Sequence, residues 1–238
     1  MNFSRRHKVT DQKPRVSVII PTLNEAAQMG DLLSSLRVFS ELEIILVDGR
    51  SLDQTVEIAK ALTSRVLVTA PGRAHQMNEG ARHATGEVLI FLHADTRLEL
   101  SAFAQLTSAM SDSTIVGGAF SLRLDSRRWE LRLIAAVTNL RARLFFLPYG
   151  DQAIFVRRAL FDKIGGYAEL PLMEDFEFMR RLRRHGRIVI LSAKAVSSAR
   201  RWEKEGIVYT TLRDWVIALL FLFGVSPVAL AKWYPPVR

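Results

Sequence analysis

Four short runs of branched and aromatic residues punctuate the first hundred positions, and each run stops at a polar turn. The runs are VSVII (Val16–Ile20), EIILV (Glu43–Val47), RVLVT (Arg65–Thr69) and VLIFL (Val88–Leu92). Unbroken apolar runs of this length suit strands buried on both faces of a parallel sheet. Helical patterns separate them. Met29, Leu32, Leu33 and Leu36 fall on one helical face, and further helices are expected over about 55–62 and 74–84, with Gly86 as a stop signal. Strand and helix thus alternate through short connections marked by Gly and Pro. That pattern predicts an α/β fold with a mixed, mostly parallel, Rossmann-like sheet flanked by helices.

The strand ends carry the chemistry. The first run ends in Pro21-Thr22-Leu23-Asn24-Glu25, where Pro21 halts the ladder and Asn24 is placed to cap the next helix. The second ends in Asp48-Gly49-Arg50-Ser51 and the fourth in His93-Ala94-Asp95-Thr96. Ligands of open α/β sheets bind outside the carboxyl ends of the strands. One acidic strand end is unremarkable, and Asp95 alone reads equally well as a helix cap. Several acidic ends on one edge predict a site for a polar ligand and a divalent cation, Mn²⁺ or Mg²⁺, which carboxylate oxygens suit. Neither a GxxxxGK[ST] loop nor a GxGxxG after the first strand is present, so phosphates must be neutralised by a metal or by arginines.

The second half is patterned differently. Ile115–Leu124 reads as a strand with Gly117 and Gly118 at a kink or close approach. Residues 127–146 read as a helix with a stripe of Leu133, Val137, Leu140 and Leu144 among five arginines. A basic amphipathic helix suits a membrane surface, and an ordinary core-packed helix with a solvated basic face fits equally. Gly150-Asp151-Gln152 precedes a short strand over 153–156. Glu174 and Asp175 open a helix, where they either favour its dipole or stand as a base at a cleft edge. Arg187–Leu191 is the last clear strand, and Val196–Ala199 leads into Arg200-Arg201-Trp202.

Composition excludes several classes. The 238 residues are 49% hydrophobic and hold no cysteine, which removes disulfides, thiolate metal sites and cysteine nucleophiles. A net charge of +9 attracts polyanions: nucleic acid, an anionic membrane surface or a phosphorylated substrate. The arginine clusters flank aliphatic rather than aromatic residues, which argues against nucleic acid. Residues 1–14 are polar and basic and read as a loose tail without a secretory signal.

Taken in order, these motifs resemble a family 2 glycosyltransferase of the GT-A fold over about residues 16–206. They are PTLNE (21–25), VDGRSLDQT (47–55), Arg73 with Asn78-Glu79-Gly80, LIFLHADT (89–96), GGAF (117–120), GDQ (150–152), MED (173–175) and RRW (200–202). HADT and RRW look like a small bacterial subgroup, the selenodomain-associated transferases. The resemblance implies nucleotide binding by Pro21, Thr22, Glu25, Asp48 and Arg73. It implies metal binding by Asp95, with His93 standing where the family's first Asp would be. Asp175 matches the family's catalytic base, and Asp151, Glu174, Arg201 and Trp202 fall to the acceptor or diphosphate. The implied activity is an inverting, metal-dependent transfer of a sugar from a nucleoside-diphosphate sugar to a sugar, lipid-linked or small-molecule hydroxyl. Rival readings are a sugar nucleotidyltransferase, a binding module without catalysis, and a catalytically degenerate relative.

Trp215–Ala231 holds 17 residues without a charge, bounded by Asp214 and Lys232 and broken by Gly224, Ser226 and Pro227. Its length lies at the lower limit for a membrane span. It could span, lie in the interface or pack as a buried helix, and the interfacial placement is favoured. The expected layout is therefore a tail (1–14), a transferase domain (15–206) and a hydrophobic helical segment (207–238). The expected location is cytoplasmic, peripheral on the inner face of the cell membrane.

Overall fold

The computed structural model describes residues 14–63 and 65–235, so the expected N-terminal tail lies outside the described residues except for Pro14. Strands β1 (Val16–Thr22), β2 (Leu42–Asp48), β3 (Val66–Val68) and β4 (Val88–Phe91) alternate with helices α1 (Ala26–Leu36), α2 (Thr55–Leu62) and α3 (Arg73–His83). Next come β5 (Thr96–Leu98), α4 (Ala102–Met110), β6 (Ile115–Asp125) and α5 (Trp129–Phe145). A single 3₁₀ turn, Gly150–Gln152, leads to β7 (Ile154–Arg157), α6 (Arg158–Lys163), α7 (Glu174–Leu182) and β8 (Arg187–Ser198). The chain closes with α8 (Arg200–Glu205), α9 (Ile207–Leu222) and α10 (Pro227–Ala231).

All these strands join one sheet in the order β3-β2-β1-β4-β7-β6-β8-β5. β1 pairs in parallel with β2 and β4, β2 with β3, and β6 with β8. β7 runs antiparallel between β4 and β6, and β5 is antiparallel to β8. The register sets Thr22 opposite Asp48 and Ile19 opposite Phe91, so the carboxyl ends of β1, β2 and β4 meet at one edge.

The period of two along each strand feeds two apolar layers. Val18, Ile20, Leu46 and Ile90 pack with Met29, Leu33 and Leu36 of α1 and Leu106 of α4. Ile19, Val47, Leu89 and Phe91 point the other way, onto Met77 of α3 and Phe178 and Leu182 of α7. Gly118 lets β6 lie against its neighbour. A Cβ there would stand 1.9 Å from the Val189 carbonyl oxygen, a backbone atom that cannot step aside.

Several local expectations are revised. Asn24 does not cap α1. It adopts a left-handed conformation (φ 54°), and its Oδ1 accepts from Leu52 N at 2.7 Å. The first turn of α1 is served from the next loop instead, Ala26 N donating to Asp53 Oδ2 at 3.1 Å. Asp95 caps no helix, because β5 follows it directly. Gly86 does not terminate α3, which ends at His83. Its own Cβ would meet the Ser17 backbone nitrogen at 2.7 Å, so close packing on β1 requires glycine. The last strand does not stop at Leu191 as expected but runs on to Ser198, and its pairing with β6 shifts register between Phe120 and Ser121. On α5 the expected stripe faces solvent. Leu131, Ala135 and Ala142 fill the core side, while Leu133, Val137, Leu140 and Leu144 are exposed. The 215–231 segment breaks at Gly224 (φ 86°), and no helix among the described residues is long and apolar enough to cross a membrane.

Replacing Gly118 by Ala should destabilise the fold by about 3 kcal/mol, the upper range for overpacking against an unyielding neighbour. Urea unfolding checks this: the midpoint should fall with the slope unchanged. An unshifted midpoint would mean that β6 and β8 separate freely.

Candidate active site

A cleft of about 570 Å³ opens at the carboxyl edge of β1 and β4. Its walls come from Pro21 and Thr22, the last residues of β1, which runs through the proline rather than stopping at it, and from Arg73 and Gln76 of α3, His93 and Asp95 after β4, the Gly150–Gln152 turn, and the start of α7. α8, α9 and the segment after α10 close the other side through Arg200, Arg201, Trp202, Asp214, Trp215 and Tyr234.

On the β1–β2 side, hydrogen bonds lace the loops together. Gln76 Nε2 donates to the Thr22 and Val47 carbonyls, both at 2.8 Å. Asp48 is fully buried behind this wall. It accepts from Ser51 N at 2.7 Å, from Ser51 Oγ and from Thr22 Oγ1 at 3.3 Å, so it shapes the loop rather than lining the cleft. Glu25 does line the cleft. One of its oxygens pairs with Arg200 Nη2 at 3.2 Å and the other is buried without a hydrogen-bond partner. Burial raises the Glu25 carboxyl, and Arg200 opposes that.

At the β4 end, burial raises the Asp95 carboxyl against the pull of Arg200 and Arg73. His93 is pushed down to about 3, by burial first and then by Arg73, so its imidazole is neutral at pH 7. Gly150 sits against it. A Cβ on Gly150 would lie 2.6 Å from His93 Nε2 and 3.3 Å from Asp175 Oδ2. The Gly150 amide donates to Asp175 Oδ2 at 2.6 Å, and Phe176 N donates to Asp175 Oδ1 at 2.7 Å. Both oxygens of Asp175 are thus oriented by backbone donors, and each keeps a further lone pair for an incoming hydroxyl.

The neighbouring carboxylates are tightly held. Glu174 pairs with Arg73 Nη1 at 3.2 Å and is raised chiefly by burial. Asp151 has a buried Oδ1 without a hydrogen-bond partner, and burial together with Asp175 pushes its carboxyl up to about 7. Arg141 of α5 moderates that shift while its guanidinium lies on the Tyr149 ring, 3.6 Å from the centroid. Arg201 packs on Tyr234 at 4.1 Å and donates to the Pro235 carbonyl at 3.0 Å. Trp202 donates from Nε1 to Thr211 Oγ1 at 3.3 Å, joining α8 to α9.

Sequence reasoning thus located the acidic strand ends and Asp175, and the structure brings them to one cleft with Asp48 set behind. It missed Gln76, Arg141, Tyr149, Arg200 as the partner of Glu25, and Tyr234. Arg200 had a usable signal in the RRW triplet. The others are held by long-range packing that no local spacing reports.

Residues 17–168 match the profile of glycosyl transferase family 2. The chain belongs to that family. It is 35% identical over 179 residues to a PGL/p-HBAD biosynthesis glycosyltransferase of Mycobacterium bovis, covering 69% of this chain and 68% of that one. An undecaprenyl-phosphate 4-deoxy-4-formamido-L-arabinose transferase of Pseudomonas aeruginosa is 28% identical, over 61% of this chain and 48% of its own length. Among solved structures, the mannosyltransferase PcManGT from Pyrobaculum calidifontis, in complex with GDP-Man and Mn²⁺, aligns with a TM-score of 0.62 at 21% identity, over 79% of this chain and 57% of that one. Glucosyl-3-phosphoglycerate synthase from Mycobacterium tuberculosis, in complex with Mn²⁺ and UDP-glucose, aligns at 0.59 and 19% identity, over 81% and 74%. These likenesses give the fold as GT-A.

The Asp151 shift sets a pH dependence. The folded protein keeps this proton up to about pH 7, whereas the unfolded chain releases it near the ordinary value of 3.8, so Asp151 withdraws stability as pH rises through that window. Asp151→Asn should therefore gain stability over the wild type between pH 4 and 7, on the order of 4 kcal/mol at the top of the range. Urea unfolding across that range checks it, and parallel curves for the two proteins would contradict it.

Proposed function

We propose that the protein is an inverting glycosyltransferase that moves a sugar from a nucleoside-diphosphate sugar to the hydroxyl of a lipid-linked acceptor. The observation that carries this is the contact of Gly150 with both His93 and Asp175, which sets the fourth strand end and a backbone-oriented carboxylate on one wall. In the proposed reaction the acceptor oxygen attacks the anomeric carbon while Asp175 takes its proton. The bond from that carbon to the phosphate oxygen breaks, and its electron pair leaves on the diphosphate. Pro21, Thr22, Glu25 and Arg73 bound the nucleotide, with Asp48 shaping their loop. Arg200 and Arg201 face the departing negative charge. Asp151, Glu174 and Trp202 line the acceptor side.

The cleft also suits a divalent cation. Among the described residues no group of three His, Asp or Glu is poised to hold a metal alone. Mg²⁺ and Mn²⁺ need only one or two carboxylates when a diphosphate supplies the remaining oxygens. Asp95 is such a carboxylate, raised by burial, and the neutral His93 keeps a lone pair beside it. When bound there, Mn²⁺ or Mg²⁺ would supply Lewis-acid stabilisation of the leaving diphosphate.

The lipid-linked acceptor is supported by the name of the Pseudomonas relative, an undecaprenyl-phosphate transferase. A cytoplasmic site of action and membership of the selenodomain-associated subgroup belong to the same proposal, the latter carried by HADT and RRW.

Asp175→Asn should lower turnover by about 10²- to 10⁴-fold, the usual contribution of a positioned base. A nucleoside diphosphate with Mn²⁺ should still raise the melting temperature of that variant, since a ligand at a hundredfold excess over Kd adds about 2.7 kcal/mol. Turnover equal to wild type would refute the base. A folded wild type that no nucleotide stabilises would point to a degenerate relative instead.

A further inference from the structure

Two helices of this fold expose apolar residues in rows rather than singly. On α5, Trp129, Leu133, Val137, Leu140 and Leu144 recur at helical spacing and meet solvent, Leu144 being 63% exposed. On α9, Val208, Leu212, Trp215, Leu219 and Leu222 do the same. That outer face of α9 carries no charge, because the helix's only charged residues, Arg213 and Asp214, pair with each other and Arg213 is buried. The helices are neighbours: Ile134 of α5 and Ile207 of α9 share an apolar cluster with Trp202. Both also wall the cleft, and Trp215 belongs to its rim as well as to the exposed row. Scattered exposed apolar residues are ordinary, but contiguous rows mark a contact surface.

Cations border the rows. Arg132 and Arg143 are exposed on α5, and Arg127 and Arg128 are exposed just before it, Arg128 pairing with Glu130 at 2.9 Å. Arg183 donates to the Phe145 carbonyl at 3.1 Å, which brings the arginine-rich end of α7 to the edge beside Phe145 and Phe146. We propose that this two-helix surface docks on the headgroup boundary of an anionic bilayer. The apolar rows enter the acyl region, the arginines meet lipid phosphates, and Trp129, Trp215 and Trp233 lie where interfacial aromatics are favoured. A second copy of the chain fits less well, since a two-fold contact through α5 sets arginine clusters against their own copies. The docking deepens the transferase reading by turning the cleft rim towards a lipid-borne acceptor, but it needs no catalysis to be tested.

The test is co-sedimentation of the full chain with phosphatidylcholine vesicles, with and without phosphatidylglycerol. Wild type should pellet with the anionic vesicles. Leu212→Asp with Leu219→Asp should weaken that partitioning about tenfold or more, and Arg132→Glu with Arg143→Glu should abolish the preference for anionic lipid. Neither pair lines the cleft. Should a variant fail to fold, brominated acyl chains should still quench the tryptophan fluorescence of the wild type. Wild type left unquenched in the supernatant overturns the proposal, as does equal capture by both vesicle types. A dimer in size-exclusion chromatography that the leucine pair dissociates, without vesicle binding, assigns the surface to a second copy and also overturns it. Docking without sugar transfer would remove the transferase reading and leave this one standing.

Discussion

The hydrogen bond from the Gly150 amide to Asp175 is the point on which the cleft wall turns. It joins a turn inserted before β7 to the first residues of α7, at a position where the absence of a side chain leaves room for the His93 ring. Any Cβ there would strike His93 and crowd the carboxylate it serves. One missing methyl group thus sets three segments, distant in sequence, in contact: the end of β4, the Gly150–Gln152 turn and the α7 N-terminus. α7 can hold that position because Phe178, Met179 and Leu182 are fully buried on the sheet behind it. The geometry of the cleft therefore depends on core packing one layer away.

The cleft is also a place where charge has been desolvated. Glu25, Asp95, Asp151 and Glu174 all have carboxyls raised first by burial. Arg73, Arg141 and Arg200 offset this in part. Buried polar and charged groups cost stability unless they are paired, so such a concentration is expected where function holds it in place. GT-A architecture suits that concentration, since parallel strands deliver several chain segments to one edge while the apolar layers carry the stability.

The parallel half of the fold was legible because its signals are local. Strands buried on both faces write continuous apolar runs, and the polar turns that end β1 and β4 are also the loops that line the cleft. The second half was less legible. β5 is only three residues long, too short to leave a periodic trace. The α5 stripe was visible but its direction was not. Periodicity reports that a helix has two faces, and only the tertiary arrangement selects which one the sheet takes. The pairing of Arg200 with Glu25 joins residues 175 positions apart, and nothing in either neighbourhood announces it. Asp48 shows the converse: its residue type marked a site, yet its hydrogen bonds set it behind the wall.

The pairing of Glu25 with Arg200 ties the loop after β1 to the first residue of α8, 175 positions away. Arg200 commits one guanidinium nitrogen to that carboxylate, at 3.2 Å, out of the five N–H donors such a group carries. Glu25 in turn keeps one buried oxygen without a hydrogen-bond partner. The pair is therefore a brace across the mouth of the cleft rather than a plug in it: each partner steadies the other while keeping hydrogen-bonding capacity for a further group.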